Sequence, residues 1–183
     1  DLTMKMPGKH NVENALVAIS IALERGCDPN DIRKAIGSFS GIKRRFETFC
    51  QTKDVVMIDD YAHHPTEIAA CLNSVKALYP GEKITAVFQP HLFSRTRYFI
   101  DDFATSLAIA DELYLLDIYP ARELPMEGVT SDWLLSKIDL KEKQVISKAD
   151  LLQVIDAKKP ALLVTMGAGD IDLLLNDLKL SLS

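Results

Sequence analysis

The stretch Asp59-Asp60-Tyr61-Ala62-His63-His64-Pro65-Thr66-Glu67 packs two adjacent carboxylates, a phenol and two imidazoles between an apolar run and a helical pattern. The run ahead of it, Val55-Val56-Met57-Ile58, is short, β-branched and uninterrupted, the composition of a strand buried on both faces of a parallel sheet. Behind it, Pro65 suits the first helical position and Glu67 the electropositive first turn, and Ile68, Leu72, Val75 and Leu78 make an apolar stripe. The reactive side chains are thus predicted on a strand-to-helix turn. In open α/β sheets such turns lie at the carboxyl ends of the strands, where ligands bind.

Outward from this unit the same alternation continues. Strands are predicted at 46–50, 55–58, 84–88, 113–116, 144–146 and 161–165, and helices at 66–78, 98–110, 131–137, 148–156 and 170–180. The first two strands flank the turn Gln51-Thr52-Lys53-Asp54, which permits an antiparallel pair. Residues 44–183 therefore read as an α/β fold, a mostly parallel twisted sheet with helices on both faces. Before them, residues 10–25 carry Val12, Ala15, Leu16, Ile19 and Leu23 at helical spacing up to a Gly26 stop. Asp28-Pro29 then caps a second helix running to about Gly37. Ser40-Gly41-Ile42-Lys43 breaks the pattern, so residues 1–43 and 44–183 are read as separate units. The two-helix segment is expected to be loosely attached, with its apolar stripe uncovered. Residues 1–6 look strand-like, and the chain opens on Asp1 rather than a methionine, which suggests a piece of a larger protein.

Composition narrows the partners. The chain has 183 residues, 48% of them hydrophobic, enough for an ordinary core. Its net charge of −5 gives no overall attraction to nucleic acid or anionic membrane, although Lys43-Arg44-Arg45 is a local anion-site candidate. Three cysteines, Cys27, Cys50 and Cys71, stand in apolar contexts and are expected as buried thiols, not disulfides. No apolar run is long enough to span a membrane.

If the strands are parallel, the polar loops 59–67, 89–97 and 117–123 gather on one rim with Met166-Gly167-Ala168-Gly169-Asp170. The last loop suits either close approach to an anion or tight packing of helix on strand, and Asp172 breaks the dinucleotide fingerprint. A metal site from His63, His64, His91, Asp59, Asp60 and Glu67 is the weaker reading, because adjacent residues on an extended segment point to opposite sides. One of the two histidines is expected to face the site and the other to be held in hydrogen bonds beside it. Arg95, near a helix start, is unfavourable there unless it meets an anion such as a carboxylate or phosphate. For Arg97 the readings are even.

With these motifs together, the chain resembles the Mur ligases, and within them the members that join L-alanine to UDP-N-acetylmuramate in peptidoglycan synthesis. The carriers are Pro7 through Ala15, Arg44-Arg45-Phe46-Glu47, Asp59 through Glu67, Phe88-Gln89-Pro90-His91 with Ser94-Arg95-Thr96, Asp117 through Ala121, and Gly167-Ala168-Gly169-Asp170. The resemblance implies a cytoplasmic, ATP- and Mg2+-dependent carbon–nitrogen ligase working through an acyl phosphate. It implies that residues 1–43 end a central ATP-binding domain and that 44–183 form a C-terminal, dinucleotide-fold-like domain. The N-terminal and central domains would then be partners from the same chain. The Gly-Lys-Thr phosphate loop is not in this sequence, so the fragment alone is expected to be inactive and magnesium to be held elsewhere. By the same resemblance His10, Asn11 and Asn14 hold adenine, Arg45 contacts phosphate and Asp60 the ribose, while Tyr61, His63 and Arg95 form the amino-acid pocket. There Arg95 clamps the α-carboxylate, and His63 orients or deprotonates the amine. Many members carry a second arginine where this chain has Leu92. Rival readings are the ligase for recycled murein tripeptide, a metal-dependent hydrolase and a non-catalytic binding module.

Overall fold

The structure of the chain, a computed structural model, describes residues 2–6 and 8–182, leaving aside the side chains of Lys9 and His10. Two helices come first, α1 (Lys9–Glu24) and α2 (Pro29–Ser38), the second capped by Asp28, whose side chain accepts from Asn30 N–H at 2.7 Å. Residues 2–6 form no strand: the short polar run lacks a neighbouring edge to pair with. Val12, Leu16, Val17, Ile21 and Leu23 of α1 are all exposed. Cys27 is exposed too, contrary to its apolar context, because it falls in the short link between the helices, whereas Cys50 and Cys71 are buried.

From residue 47 the chain alternates strand and helix. Among the described residues six strands form one sheet in the order β1 (Glu47–Gln51), β2 (Val56–Asp60), β6 (Leu162–Met166), β3 (Ile84–Phe88), β4 (Glu112–Leu115), β5 (Glu142–Val145). Every neighbouring pair is parallel except β1 with β2, which is antiparallel and bulged between Thr48 and Cys50. Burial follows position. The central strands β3 and β6 are buried at every residue, while the edge strands β1 and β5 alternate. Alternation along each strand divides the core. Ile58, Ala86, Phe88 and Val164 face α3 (Pro65–Leu78), α5 (Ile100–Leu107) and α6 (Ser131–Lys137). Met57, Val87 and Leu163 face α7 (Lys148–Lys158) and α8 (Leu175–Leu182). The sheet is thus covered on both faces. No helix among the described residues is long and apolar enough to cross a membrane.

Two helices depart from their predicted spans. The pattern at 98–110 begins earlier, as a short α4 (Phe93–Tyr98) that breaks at Phe99 before α5. Phe93-Ser94-Arg95-Thr96-Arg97 carries no apolar stripe, so periodicity detects only the part that packs on the sheet. The pattern at 170–180 opens as a 3₁₀ turn, Asp170–Leu174, before α8.

At the amino ends of the strands, opposite the polar loops, a buried carboxylate joins three elements. Glu112 of β4 lies 3.2 Å from Lys83 Nζ, accepts from Tyr114 OH at 2.5 Å and pairs with Lys158 of α7. Lys83 also bonds Glu142 of β5 at 2.6 Å. Burial pushes the Glu112 carboxyl up, but the hydrogen bonds from Lys158, Tyr114 and Lys83 outweigh it and hold the group below the usual range. A carboxylate with a depressed folded value stabilises the fold above its unfolded pKa and stops doing so as pH falls through the folded one. Glu112→Gln is therefore expected to lower stability by about 1–3 kcal/mol at neutral pH, and urea unfolding should show the gap to wild type closing below about pH 4.

Candidate functional site

The carboxyl ends of β2, β6 and β3 bring their loops together. After β2, the backbone turns at Asp60, whose carboxylate accepts from Phe46 N–H and Ala62 N–H, both at 2.7 Å. Burial pushes its carboxyl up, partly offset by these two bonds. His64 occupies the N-cap of α3, and Glu67 Oε2 accepts from the N–H groups of His63 at 3.0 Å and His64 at 3.2 Å. The His64 ring meets Phe99 edge-on at 4.7 Å, so this histidine belongs to the packing of α3. His63 points along the rim instead. Its Nδ1 lies 2.8 Å from the Tyr61 carbonyl and 3.4 Å from Glu67 Oε2, both of which accept, so Nδ1 carries a proton and, in the neutral ring, Nε2 is the accepting nitrogen.

His63 meets His91 at 6.0 Å between ring centres, and His91 stacks on Tyr119 at 5.7 Å with the planes 17° apart. Arg95 Nη1 lies 3.3 Å from His91 Nδ1. Guanidinium donates, so His91 accepts on Nδ1 and is neutral. Burial, then the positive Arg95, lowers its pKa further. Tyr61 completes the row, edge-on to His63 at 5.3 Å and under the guanidinium groups of Arg44 at 5.0 Å and Arg45 at 5.8 Å. The rim thus carries one imidazole held through Nδ1, one half-buried arginine and aromatic walls. Arg97 is exposed.

Of the other residues singled out from sequence, Asn11, Asn14 and Arg45 line one cavity of about 560 Å³ with Phe39, Ile36 and Met6. The side chain of His10 lies outside the described residues. The neighbour of Arg45 has a role that sequence reasoning missed. Arg44, at φ 61°, donates from Nε to buried Asp59 at 3.3 Å and from Nη2 to the Gly167 carbonyl at 2.6 Å, and accepts Tyr61 N–H on its own carbonyl at 2.6 Å. It is thus already engaged within the protein, which argues against reading Lys43-Arg44-Arg45 as a free anion cluster. Two adjacent arginines give no sequence signal as to which one turns inward.

Gln89 was missed as well. It donates to Asp170 at 2.8 Å and accepts from Ile171 N–H at 2.9 Å, filling the space beside the glycine turn. A Cβ on Gly167 would stand 2.8 Å from the Gln89 carbonyl oxygen, and one on Gly169 would stand 2.8 Å from Tyr119 Cβ. Tight packing therefore accounts for both glycines without an anion. Among the described residues no group of three His, Cys, Asp or Glu is placed to hold a metal ion.

Comparison with known proteins bears on this arrangement. The family described as Mur ligase, glutamate ligase domain, matches residues 44–169. The chain is 56% identical over 171 residues to the UDP-N-acetylmuramate–L-alanine ligase of Flavobacterium johnsoniae, covering 93% of this chain and 38% of that protein. To the same ligase of Cytophaga hutchinsonii it is 49% identical over 180 residues, 98% of this chain and 39% of that protein. The chain therefore spans well under half the length of these relatives. Among solved structures, the UDP-N-acetylmuramate–alanine ligase of Thermotoga maritima superposes with a TM-score of 0.78 at 30% identity, over 97% of this chain and 38% of that one. The murein peptide ligase of Psychrobacter arcticus superposes at 0.67, also at 30% identity and over the same shares.

The glycine turn gives a test of how tightly the rim is built. Gly167 has φ 145°, where a side chain is strained, in addition to its contact with Gln89. Gly167→Ala is expected to cost at least ~2 kcal/mol, read as a lowered midpoint in thermal or urea unfolding.

Proposed function

Because this chain belongs to the Mur ligase family and carries its glutamate ligase domain, we propose that it is the amino-acid-receiving part of a cytoplasmic ligase that joins L-alanine to UDP-N-acetylmuramate. The observation that carries the reading is the row Tyr61, His63, His91 and Arg95, which unites two loops about thirty residues apart around one basic nitrogen and one guanidinium. Such a pair suits an amino acid: the guanidinium takes the α-carboxylate, and the imidazole takes the proton of the ammonium. High identity to L-alanine ligases favours alanine over a recycled tripeptide as the incoming group.

In this reading Arg95 fixes alanine by its carboxylate, so that the nitrogen is directed toward His63. The Tyr61 carbonyl holds the His63 proton on Nδ1, keeping Nε2 ready to accept one from the amine. Tyr61 and Tyr119 flank the row and reduce the access of water to it. ATP supplies the phosphoryl group that activates the sugar's lactyl carboxylate as an acyl phosphate. The cavity beside α1 and α2 fits a nucleotide base, with apolar walls from Phe39 and Ile36 and the amides of Asn11 and Asn14 at its border. Asn11 and Asn14, with His10, would hold the base, and Arg45 a phosphate. Asp60 reaches the ribose through the lone pairs that its two backbone bonds leave over. Magnesium and the phosphate loop are assigned to a segment outside this chain. We also propose the boundary between the nucleotide-side helices and the ligase domain at residues 43 and 44.

Charge-assisted hydrogen bonds are worth roughly 1.5–3 kcal/mol, which corresponds to about one to two orders of magnitude in binding. In the full-length protein Arg95→Ala is therefore expected to raise the KM for L-alanine about ten- to a hundredfold, with the KM values for ATP and UDP-N-acetylmuramate nearly unchanged. A phosphate-release assay reads all three. An unchanged alanine KM, or a rise chiefly in the ATP KM, would remove Arg95 from the amino-acid pocket.

A further inference from the structure

The helix that carries Arg95 is poorly equipped to hold itself. α4 has only six residues, less than two turns, and isolated helices of that length do not persist. Its N-cap residue, Leu92, offers no capping side chain and sits at φ 73°, a left-handed conformation that a leucine adopts only when its surroundings impose it. Something outside the helix must therefore fix its start.

Glu123 is in place to do so. From the turn after Tyr119-Pro120 its Oε2 accepts from Ser94 N–H at 2.9 Å, and its Oε1 accepts from the Ser94 hydroxyl. It thus supplies, from 29 residues away, the cap that Leu92 cannot provide. The same two loops are joined further in: Leu92 N–H donates to the Tyr119 carbonyl at 2.9 Å, and Tyr119 N–H to the Pro90 carbonyl at 2.8 Å. Glu123 closes the outer end of this zipper. Inside it lie the stacked pair His91–Tyr119 and the residue after Ser94, which is Arg95. Glu123 does not itself pair with the guanidinium, and among the described residues no carboxylate stands within ion-pair range of Arg95. The arginine is oriented without being neutralised.

We propose that Glu123 is a positioning residue: by capping α4 through Ser94 it sets the place of Arg95 and His91, and with them the grip on the amino acid's carboxylate. This rests on the ligase reading for its consequence, though not for its geometry. The Ser94 hydroxyl and amide hold the Glu123 carboxyl below the usual range, so the clasp is charged at neutral pH and loosens as the pH falls into the carboxylate range.

The test uses Glu123→Gln, Glu123→Ala and Glu123→Asp in the full-length protein. The KM for L-alanine is expected to rise about threefold for Glu123→Gln and about tenfold for Glu123→Ala, with kcat and the ATP KM within about twofold of wild type. The aspartate variant should recover part of the loss. Two NMR readouts need no activity: hydrogen exchange at the Ser94 amide should quicken in Glu123→Ala, and the Arg95 Nε–H and His91 ring signals should shift. Faster Ser94 exchange with an unchanged alanine KM would overturn the proposal, as would unchanged exchange and unshifted Arg95 and His91 signals, or equal losses toward alanine and ATP. If wild type does not use alanine, the ligase reading falls by itself, and the shifts at Arg95 and His91 still decide whether Glu123 positions them.

Discussion

The contact on which the rim depends is the one between Arg44 and Asp59. Asp59 is fully buried, and burial pushes its carboxyl up, with the Thr165 hydroxyl at 2.6 Å and the Arg44 guanidinium pulling against that rise. A buried pair of this kind adds little net stability, because desolvation offsets the attraction, but removing one partner strands the other at a cost of about 3–5 kcal/mol. Its effect is on geometry. Arg44 joins β2 through Asp59, the turn after β6 through the Gly167 carbonyl and the loop after β2 through the Tyr61 N–H. Tyr61 then lies under two guanidinium groups, and His63 hangs from the Tyr61 carbonyl. The placement of the His63 ring can be traced back to a salt bridge it never touches.

Much of this was legible in the sequence, for reasons that can be named. Strands buried on both faces leave continuous apolar runs, as in Ile84–Phe88 and Leu162–Met166, and sheet-packed helices leave a 3.6-residue stripe, as in α3. The crowding of Asp59 to Glu67 at a strand end marked the rim. Parallel topology then placed the later loops beside it. The part that stayed hidden rests on contacts far apart in sequence. Arg44 to Gly167 spans 123 residues, Gln89 to Asp170 spans 81, and Ser94 to Glu123 spans 29. Periodicity cannot report such pairs. The helix carrying Arg95 was misplaced for a related reason: it is held by a distant carboxylate and has no apolar face of its own.

The two histidines show how local chemistry sorts neighbours. His63 and His64 are adjacent, yet one presents a ring nitrogen to the rim and the other caps a helix and packs on Phe99. The divergence of an extended pair separates them, and the helix start that follows fixes which does what. Glu67, taking both backbone N–H groups, locks the choice.

Strand β6 lies between β2 and β3, pairing with both, yet of the six strands described in this sheet it comes last in the sequence. Without Leu162–Met166 the sheet would fall into two pieces, the hairpin β1–β2 and the three strands β3–β4–β5, and the facing edges of β2 and β3 would present unpaired amides and carbonyls. Neither half can close on the other, because the gap is one strand wide. That slot would fit the β6 of another copy as well as the chain's own, so the same five residues that close the sheet are the ones through which two copies could exchange strands.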